Sequence, residues 1–315
     1  MSDASLAKNE DSRSGFFYAL SAYVIWGFLP LYLKALSHVP PVEVIAHRVL
    51  WSLPVALAVI VWMGRTRDLR QALRTPRTLM MGAATAALIS VNWGVYVWAI
   101  GAGYALEAAL GYYINPLFSV LLGRIVLKEA LTRAQWVAIG LAAAAVILLT
   151  VEAGRVPVVA LGLTVSWGLY AYLKKSLPIG PNQGFTLEVM LLAPLALGYV
   201  LWLHWQGGSH FLQGVGRDDL LLIGTGLVTA IPLMIYANGA KRLRLSTIAM
   251  MQYLTPTMIF LIAVFVFGEP FGVVRLIAFP MIWAALVIYT VSMLRARGQA
   301  RQAARQASSV IQTGT

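Results

Sequence analysis

The chain has 315 residues, of which 59% are hydrophobic and 11% are charged, and it contains no cysteine. This composition excludes an ordinary water-soluble globular domain, and the missing cysteines exclude disulfides and thiol chemistry. A formal net charge of +12 would suit a nucleic-acid-binding protein. The basic residues stand between apolar segments, however, where they act as a topology signal.

Ten apolar segments follow one another along the chain, each of about 20 residues, the length that a helix needs to cross a bilayer. They are predicted at 16–36, 42–62, 79–100, 105–123, 133–152, 156–174, 183–204, 219–239, 245–266 and 272–294. The sequence therefore predicts an all-α polytopic membrane protein with ten transmembrane helices. The flanking segments 1–15 and 295–315 are predicted to be cytoplasmic tails, the second of them basic at first and then disordered.

Lysine and arginine are distributed unevenly among the connections between these predicted helices. With the N terminus in the cytoplasm, nineteen of them lie inside and four outside, and Arg48 lies within a span. Because basic residues favour the cytoplasmic side of a membrane, both termini are predicted to be cytoplasmic. This bias explains the basic charge without a nucleic-acid partner.

The two halves of the chain repeat each other. Corresponding pairs, at offsets of 140 or 141 residues, are Trp26–Trp167, Arg48–Glu188, Pro54–Pro194, Tyr96–Tyr236, Tyr113–Tyr253, Pro116–Pro256 and Glu129–Glu269. Each half, 16–152 and 156–294, has five predicted spans, and since five is odd the second half must enter the membrane inverted. Inverted repeats around a central cavity, with a site near the midplane, are typical of secondary transporters.

Two of the repeated residues are prolines within predicted spans, Pro116 and Pro256. Proline has no N–H, so the carbonyl four residues earlier, at Tyr112 or Gln252, loses its helical partner. An unpaired carbonyl is costly in hydrocarbon and is tolerated where it faces protein or a water-filled cavity. Prolines in matching positions of the two halves therefore predict helix breaks beside a transport site.

A set of motifs extends over nearly the whole apolar part of the chain. They are W-G-F-L-P-L-Y-L-K at 26–34, His47-Arg48 with Trp51-Ser52, Asn92-Trp93 with Tyr96 and Trp98-Ala99, Glu107 with L-G-Y-Y-I-N-P-L at 110–117, and Gln252-Tyr253 with Pro256-Thr257. This combination resembles the EamA family of the drug/metabolite transporter superfamily, and within it the RarD-type subgroup. The resemblance implies ten helices in two inverted halves and movement of small metabolites or drugs across the inner membrane. Tyr113 departs from the pattern, which has phenylalanine there.

Polar and aromatic residues inside the spans form the predicted substrate-binding set. They are Tyr23, Trp26, Arg48, Asn92, Tyr96, Glu107, Tyr112, Tyr113, Asn115, Trp167, Tyr236, Asn238, Gln252 and Tyr253. The alternative for the amides is hydrogen bonding between helices, and the alternative for the aromatic residues is packing. The histidines lack metal-site spacing and no nucleotide motif is present, so no metal or cofactor is expected.

Arg48 and Glu107 are the two charges predicted nearest the midplane on the outer side. Arg48 could bind an anionic substrate group, pair with Glu107, or extend to the outer interface. Glu107 could bind a cationic group, carry a coupling proton, pair with Arg48, or act through the dipole of its helix. The dipole explanation is preferred for Glu129 and Glu269, which precede predicted helices.

Together these features predict an inner-membrane secondary transporter, working by alternating access and as an exporter. Its substrate would be a small polar or amphipathic compound that is amino-acid-like, an amine or amphenicol-like. The alternatives are an intramembrane enzyme or flippase acting on a lipid-linked substrate, and a receptor or assembly factor. The expected partners are the small-molecule substrate, the lipid bilayer and, as one option, a coupling proton, with the chain acting as a monomer or homodimer.

Overall fold

A chain inside a bilayer must pair its backbone N–H and C=O groups internally, and a helix does so along its whole length. The computed structural model describes residues 12–127, 131–213, 216–240, 242–243 and 251–313, and within these ranges the chain is helical and has no strand. The helices are α1 (Arg13–Ala35), α2 (Pro41–Trp62), α3 (Thr66–Arg74), α4 (Pro76–Gly101), α5 (Ala105–Leu127), α6 (Arg133–Ala153), α7 (Val158–Ser176), α8 (Pro181–Trp205), α9 (Gly216–Ala240), α10 (Leu254–Leu261) and α11 (Val273–Thr313). A π-helical turn, Ile262–Val266, continues α10.

Eight of the described helices are long and apolar enough to cross a membrane, namely α1, α2, α4, α5, α6, α8, α9 and α11. Two further apolar helices are shorter, Val158–Lys174 within α7 and Leu254–Val266. The chain is therefore a multi-pass membrane protein, while ten crossings stay a prediction.

Helix α3 lies where the sequence analysis predicts no helix. Its buried residues, Leu69 and Ala72, share one hydrophobic cluster with Ile60 of α2 and Leu187 of α8. Its arginines are exposed. A nine-residue amphipathic helix is much shorter than the apolar runs that predict spans, so a search for spans does not find it.

The C-terminal segment also differs from the expectation. The sequence analysis predicts disorder after the basic residues that follow 294, but α11 continues to Thr313. This segment is rich in alanine, glutamine and arginine, which are good helix formers. Because it extends an existing helix, it avoids the cost of nucleating a new one.

The chain divides into two compact units. The first comprises Met1–Tyr112 and Val158–Pro270, and the second comprises Tyr113–Pro157 and Phe271–Thr315. In the first unit, α1 packs on α9 and α10, α2 on α8 and α9, and α4 on α7. In the second unit, α6 packs along α11. Each unit thus contains residues from both predicted halves.

The hydrophobic core of the first unit lies among α2, α4, α8 and α9. Its buried members include Ala46, Val49, Ala56, Ile89, Trp93, Phe185, Val189, Ala196, Ala230 and Met234. Small residues are frequent in this set, and they let neighbouring helices approach closely, as is usual in membrane proteins.

Helices α2 and α8 run antiparallel within the first unit. Near the start of α2, Glu43 accepts a hydrogen bond of 2.7 Å from the backbone N–H of His210, which follows the end of α8. Near the start of α8, the Gln183 amide donates to Asp68 of α3, which follows the end of α2, over 3.3 Å. The start of each helix is thus fastened to the segment that follows the other helix.

The two repeated prolines occupy different helical positions. Helix α5 runs through Pro116 from Ala105 to Leu127 without a break, in contrast to the predicted interruption. Pro256 lies in the first turn of α10, where a backbone N–H has no helical partner in any case. Residues 245–250, at the start of that predicted span, are outside the described residues.

Candidate functional site

Arg48 is a buried cation within a membrane helix. It lies seven residues after the start of α2, about 10 Å along the helix axis, and only 5% of its surface is exposed. Its Nε–H donates to Oγ1 of Thr229 on α9 over 2.6 Å. Its guanidinium carbon lies 4.5 Å from the centre of the Trp93 ring on α4, a cation–π distance. Three helices of the first unit therefore hold the guanidinium group.

The position of Thr229 depends on a close approach between α9 and α2. A Cβ atom at Gly226 would overlap the backbone of Trp51, so only glycine permits this approach. The Ser52 hydroxyl then donates to the Gly226 carbonyl over 3.3 Å. Thr229 donates its own hydroxyl hydrogen to the carbonyl four residues earlier in α9, over 2.7 Å. Its oxygen lone pair is thereby directed at Arg48.

Two tyrosines complete the surroundings of Arg48. Tyr96 on α4 and Tyr112 on α5 are both close enough to interact electrostatically with the guanidinium group, and their rings meet edge to face at 5.6 Å. Nη1 of Arg48 and the hydroxyl oxygen of Tyr96 are buried and have no hydrogen-bond partner among the described residues. Both groups can donate a hydrogen bond, so the site contains two buried donors to which the described residues offer no acceptor.

An aromatic cluster lies further along α9. The rings of Tyr23 and Trp26 on α1 and of Tyr236 on α9 are 5.5–5.8 Å apart, centre to centre, in all three pairs. Tyr236 follows Thr229 by seven residues, which is two helical turns. The two residues therefore share one side of α9 and are about 10 Å apart along its axis.

Glu188 on α8 is the counterpart of Arg48 in the predicted repeat, and its carboxylate has two hydrogen-bond partners. Its carboxylate accepts hydrogen bonds from Lys174 Nζ over 2.5 Å and from the Tyr170 hydroxyl over 3.2 Å. Both partners belong to α7, and Glu188 is 1% exposed. Trp167 packs on Tyr170 with ring centres 5.6 Å apart, so this predicted binding residue lies beside an internal ion pair.

Two of the predicted amides make hydrogen bonds within or between helices. Asn92 donates to the Leu163 carbonyl over 3.2 Å and to the Ser166 hydroxyl over 3.0 Å, both on α7. Asn238 donates to the Met234 carbonyl of its own helix over 3.0 Å. The contacts of Asn92 match the interhelical alternative considered for it from the sequence.

Glu107 lies in the first turn of α5 and is half-buried. No ion pair joins Glu107 to Arg48 in the part of the chain that the structure describes. Glu269 caps the start of α5, because its two carboxylate oxygens accept the first two backbone N–H groups of that helix over 2.6 and 2.9 Å. The dipole expectation placed Glu269 at the start of the helix that follows it, but it serves α5 instead. Glu129 is outside the described residues.

The remaining predicted residues lie elsewhere. Tyr113 and Asn115 belong to the second unit, where the Tyr113 ring packs on Phe279 with centres 6.3 Å apart. Gln252 and Tyr253 are half-buried and immediately precede α10.

Comparison with known proteins identifies the family. Residues 13–151 match the EamA-like transporter family. Protein RarD of Streptomyces exfoliatus is 44% identical to the chain, covering 94% of it and 93% of the relative. An uncharacterized transporter of Vibrio cholerae is 41% identical, covering 93% of the chain and 97% of the relative.

The chain belongs to the EamA-like transporter family. Its RarD relatives confirm the RarD-type resemblance, and the family is one of membrane transporters rather than enzymes. A solved protein structure matches 90% of the chain and 98% of its own length with a TM-score of 0.58 at 22% identity, which shows likeness of fold alone.

The structure of this EamA-like transporter also contains a polar cluster that the sequence analysis did not single out. Glu43, which is fully buried, accepts hydrogen bonds from the Ser209 hydroxyl over 3.3 Å and from His210 Nδ1 over 2.8 Å. Nearby, His38 pairs with Asp218 over 2.8 Å. The partners are more than 150 residues apart in sequence, so no local motif reveals them.

Thr229 is the other residue of the transporter that sequence reasoning missed. Threonine is common in membrane helices, where its hydroxyl usually bonds a carbonyl of its own helix. Thr229 differs because its hydroxyl oxygen also accepts a hydrogen bond from Arg48, which is 181 residues away in sequence. Only the fold reveals this contact.

Proposed function

We propose that this protein is a secondary transporter of the inner membrane that moves a small polar or amphipathic metabolite or drug by alternating access. The substrate binds beside Arg48. The observation that carries the proposal is the pair of buried donors there, Arg48 Nη1 and the Tyr96 hydroxyl, for which the described part of the chain supplies no acceptor. An unsatisfied buried polar group costs about 1–3 kcal/mol, and more when it is charged. A site with a purely structural role would be more stable without these unsatisfied donors. A substrate that brings a hydrogen-bond acceptor removes their energetic cost.

Inverted repeats give alternating access a structural basis. Helices α2 and α8 are counterparts in the two predicted halves, and they run antiparallel. A hydrogen bond joins the first turn of each helix to the segment that follows the other helix. A two-fold axis in the membrane plane would produce this arrangement. The antiparallel pair thus supports two inverted five-helix halves with ten crossings.

The charges at the two ends of the α2–α8 pair support the proposed orientation. One end carries the arginines of α3 and its neighbours, Arg65, Arg67, Arg70, Arg74 and Arg77, and the other end carries Glu43, Asp218 and Asp219. Because basic residues favour the cytoplasmic side, the α3 end faces the cytoplasm. Both termini then lie in the cytoplasm, and export is the proposed direction.

The other predicted residues have different roles in this proposal. Tyr23, Trp26 and Tyr236 offer an aromatic surface for the apolar part of a substrate, and Tyr112 lines the Arg48 site. Glu107 stays a candidate for a coupling proton, and the candidates outside the Arg48 site are Tyr113, Asn115, Gln252 and Tyr253.

The test combines a binding screen with transport measurements. Purified full-length protein is screened by thermal shift against amino acids, amines, nucleosides, amphenicols and organic acids, and each stabilising compound is assayed for flux into proteoliposomes. We expect at least one compound to be transported by the wild type and by Arg133→Gln, a control that removes an exposed arginine. Arg48→Gln should lose that flux. Binding without flux for every stabilising compound would contradict the transporter proposal.

The topology is tested in the same cysteine-free chain. Single cysteines are placed at Ser37, at Gln213 between α8 and α9, and at Gln299. An impermeant thiol reagent should label the first two from outside intact cells and should spare the third. Labelling of the third position would overturn the orientation.

A further inference from the structure

We infer that the group recognised at Arg48 is a carboxylate, and that the substrate is a small organic acid with an apolar, aromatic-sized body. This inference rests on the proposed function and names the substrate class for the same site. The carboxylate binds Arg48 Nη1 and the Tyr96 hydroxyl, and the body extends along α9 towards Tyr23, Trp26 and Tyr236.

The charge of Arg48 requires a counter-charge in an apolar site. Arginine stays protonated in proteins, so the site is cationic whether or not it is occupied. The two buried acids of α2 and α8 already have partners, since Glu43 binds His210 and Glu188 binds Lys174. Among the residues that the structure describes, Arg48 contacts the hydroxyl of Thr229 and the face of Trp93, which are neutral, and it forms no ion pair. An anionic ligand supplies the counter-charge, whereas a cationic amine would be repelled.

The donor geometry selects the kind of anion. Nε is occupied by Thr229, so the guanidinium group offers its terminal nitrogens, and Tyr96 adds one hydroxyl donor. A carboxylate has two coplanar oxygens and fits a guanidinium edge with one further donor. A phosphate dianion presents more oxygens and twice the charge, which a single arginine in an apolar site does not balance. A carboxylate monoanion is therefore the matching group.

The body of the substrate follows from the spacing along α9. Thr229 fixes the Arg48 end, and Tyr236 lies two turns away, about 10 Å, on the same side of the helix. Tyr236 is part of the three-ring aromatic cluster with Tyr23 and Trp26. Aromatic rings prefer edge-to-face or offset contacts with other rings. A carboxylate joined to an aromatic or similarly sized apolar group by a short linker spans these two features.

Matched acids and amides provide the test. Full-length protein in detergent at about pH 7, where simple carboxylic acids are ionised, is titrated in a thermal-shift assay. The probes are acetate, benzoate and 3-phenylpropionate, their three amides, and phenyl phosphate. We expect the two aromatic acids to stabilise the protein, 3-phenylpropionate at the lowest concentration. Each amide should bind at least about tenfold more weakly than its acid, because a buried charge pair is lost.

Variants assign the effect to the site. Arg48→Gln should abolish the response to acids, and Arg48→Lys should retain a weaker one, since lysine keeps the charge but loses the planar fork. Arg133→Gln should respond as the wild type does. The inference is overturned if acid and amide stabilise equally, if the response to acids persists in Arg48→Gln, if phenyl phosphate binds most tightly, or if none of the acids stabilises the protein.

Failure of this inference is distinguishable from failure of the proposed transport. If proteoliposomes transport a neutral or cationic compound with no preference for acids, the protein is a transporter and the carboxylate assignment is wrong. If acids bind through Arg48 and no compound crosses the membrane, the binding site is correct and the transport proposal fails.

Discussion

Arg48 and Glu188 correspond to each other in the predicted repeat, and both are buried charges on antiparallel helices. Glu188 has a counter-charge within the fold, Lys174, and a further hydrogen bond from Tyr170. Arg48 has a hydroxyl and an aromatic face, and its Nη1 has no hydrogen-bond partner in the described ranges. A paired buried charge stabilises the fold, and the contrast with Arg48 supports our proposal that Arg48 binds a charged ligand.

The largest expected effect comes from removing the ion pair between Glu188 and Lys174. Glu188→Gln leaves the partly buried Lys174 ammonium group without its counter-charge, and we expect the free energy of unfolding to fall by about 3 kcal/mol. Denaturant unfolding in detergent, followed by tryptophan fluorescence, measures the change. The double variant Lys174→Met/Glu188→Leu is the control and should recover most of the loss, because both charges are removed together. Equal stability of Glu188→Gln and the wild type would show that this ion pair does not hold α7 and α8 together.

A somewhat smaller loss of stability is expected from Gly226→Ala, which displaces Thr229, the hydrogen-bond partner of Arg48. The new Cβ overlaps the Trp51 backbone, so α9 must move away from α2 and carry Thr229 with it. We expect a loss of about 2 kcal/mol from overpacking, together with weaker binding of carboxylates. Gly140→Ala is the matched control, since nothing lies within 4 Å of its added Cβ and alanine favours the helix. If the two variants unfold alike, α2 and α9 are not in close contact at Gly226.

Removing one neutral hydrogen-bond partner from each charge gives a smaller and more selective effect. Thr229→Val and Tyr170→Phe each delete one hydroxyl, and each should cost about 1 kcal/mol of stability. Their functional effects should differ. Thr229→Val releases the Arg48 side chain and should weaken carboxylate binding several-fold, whereas Tyr170→Phe should leave it unchanged. The thermal-shift titration measures both, and equal loss of binding in the two variants would contradict the distinction between the two charges.

The sequence predicts most of the helices because hydropathy over about 20 residues is a strong signal. It predicts the positions of α1, α2, α4, α6 and α8 to within a few residues. Helix α3 is not predicted because its amphipathic pattern covers only nine residues. The helical tail of α11 is not predicted because its polar composition is typical of disordered segments, although the residues themselves favour a helix. Local composition cannot show that a segment continues a helix already formed.

The candidate site is predictable only in its charged and aromatic members. Arg48, Tyr96 and Tyr112 stand out as polar groups in apolar spans, and the structure brings all three together. Thr229 is not predictable, because its role depends on a contact with a helix far away in sequence. Pairing of Arg48 with Glu107 is one of the options that the sequence leaves open, because both residues lie at similar depths along two predicted helices. Depth alone does not fix the lateral position of a helix, and in the described ranges no ion pair joins the two residues.

The stability of Arg48→Met, measured without ligand, tests most directly the claim that Arg48 is held for a ligand. Methionine has a similar length and no polar group to satisfy, so the substitution removes an unbalanced buried charge. We expect the free energy of unfolding to stay equal or to rise by up to about 1–2 kcal/mol, with carboxylate binding abolished. A fall of about 3 kcal/mol, equal to that of Glu188→Gln, would contradict the claim and would show that Arg48 is a structural residue like its counterpart.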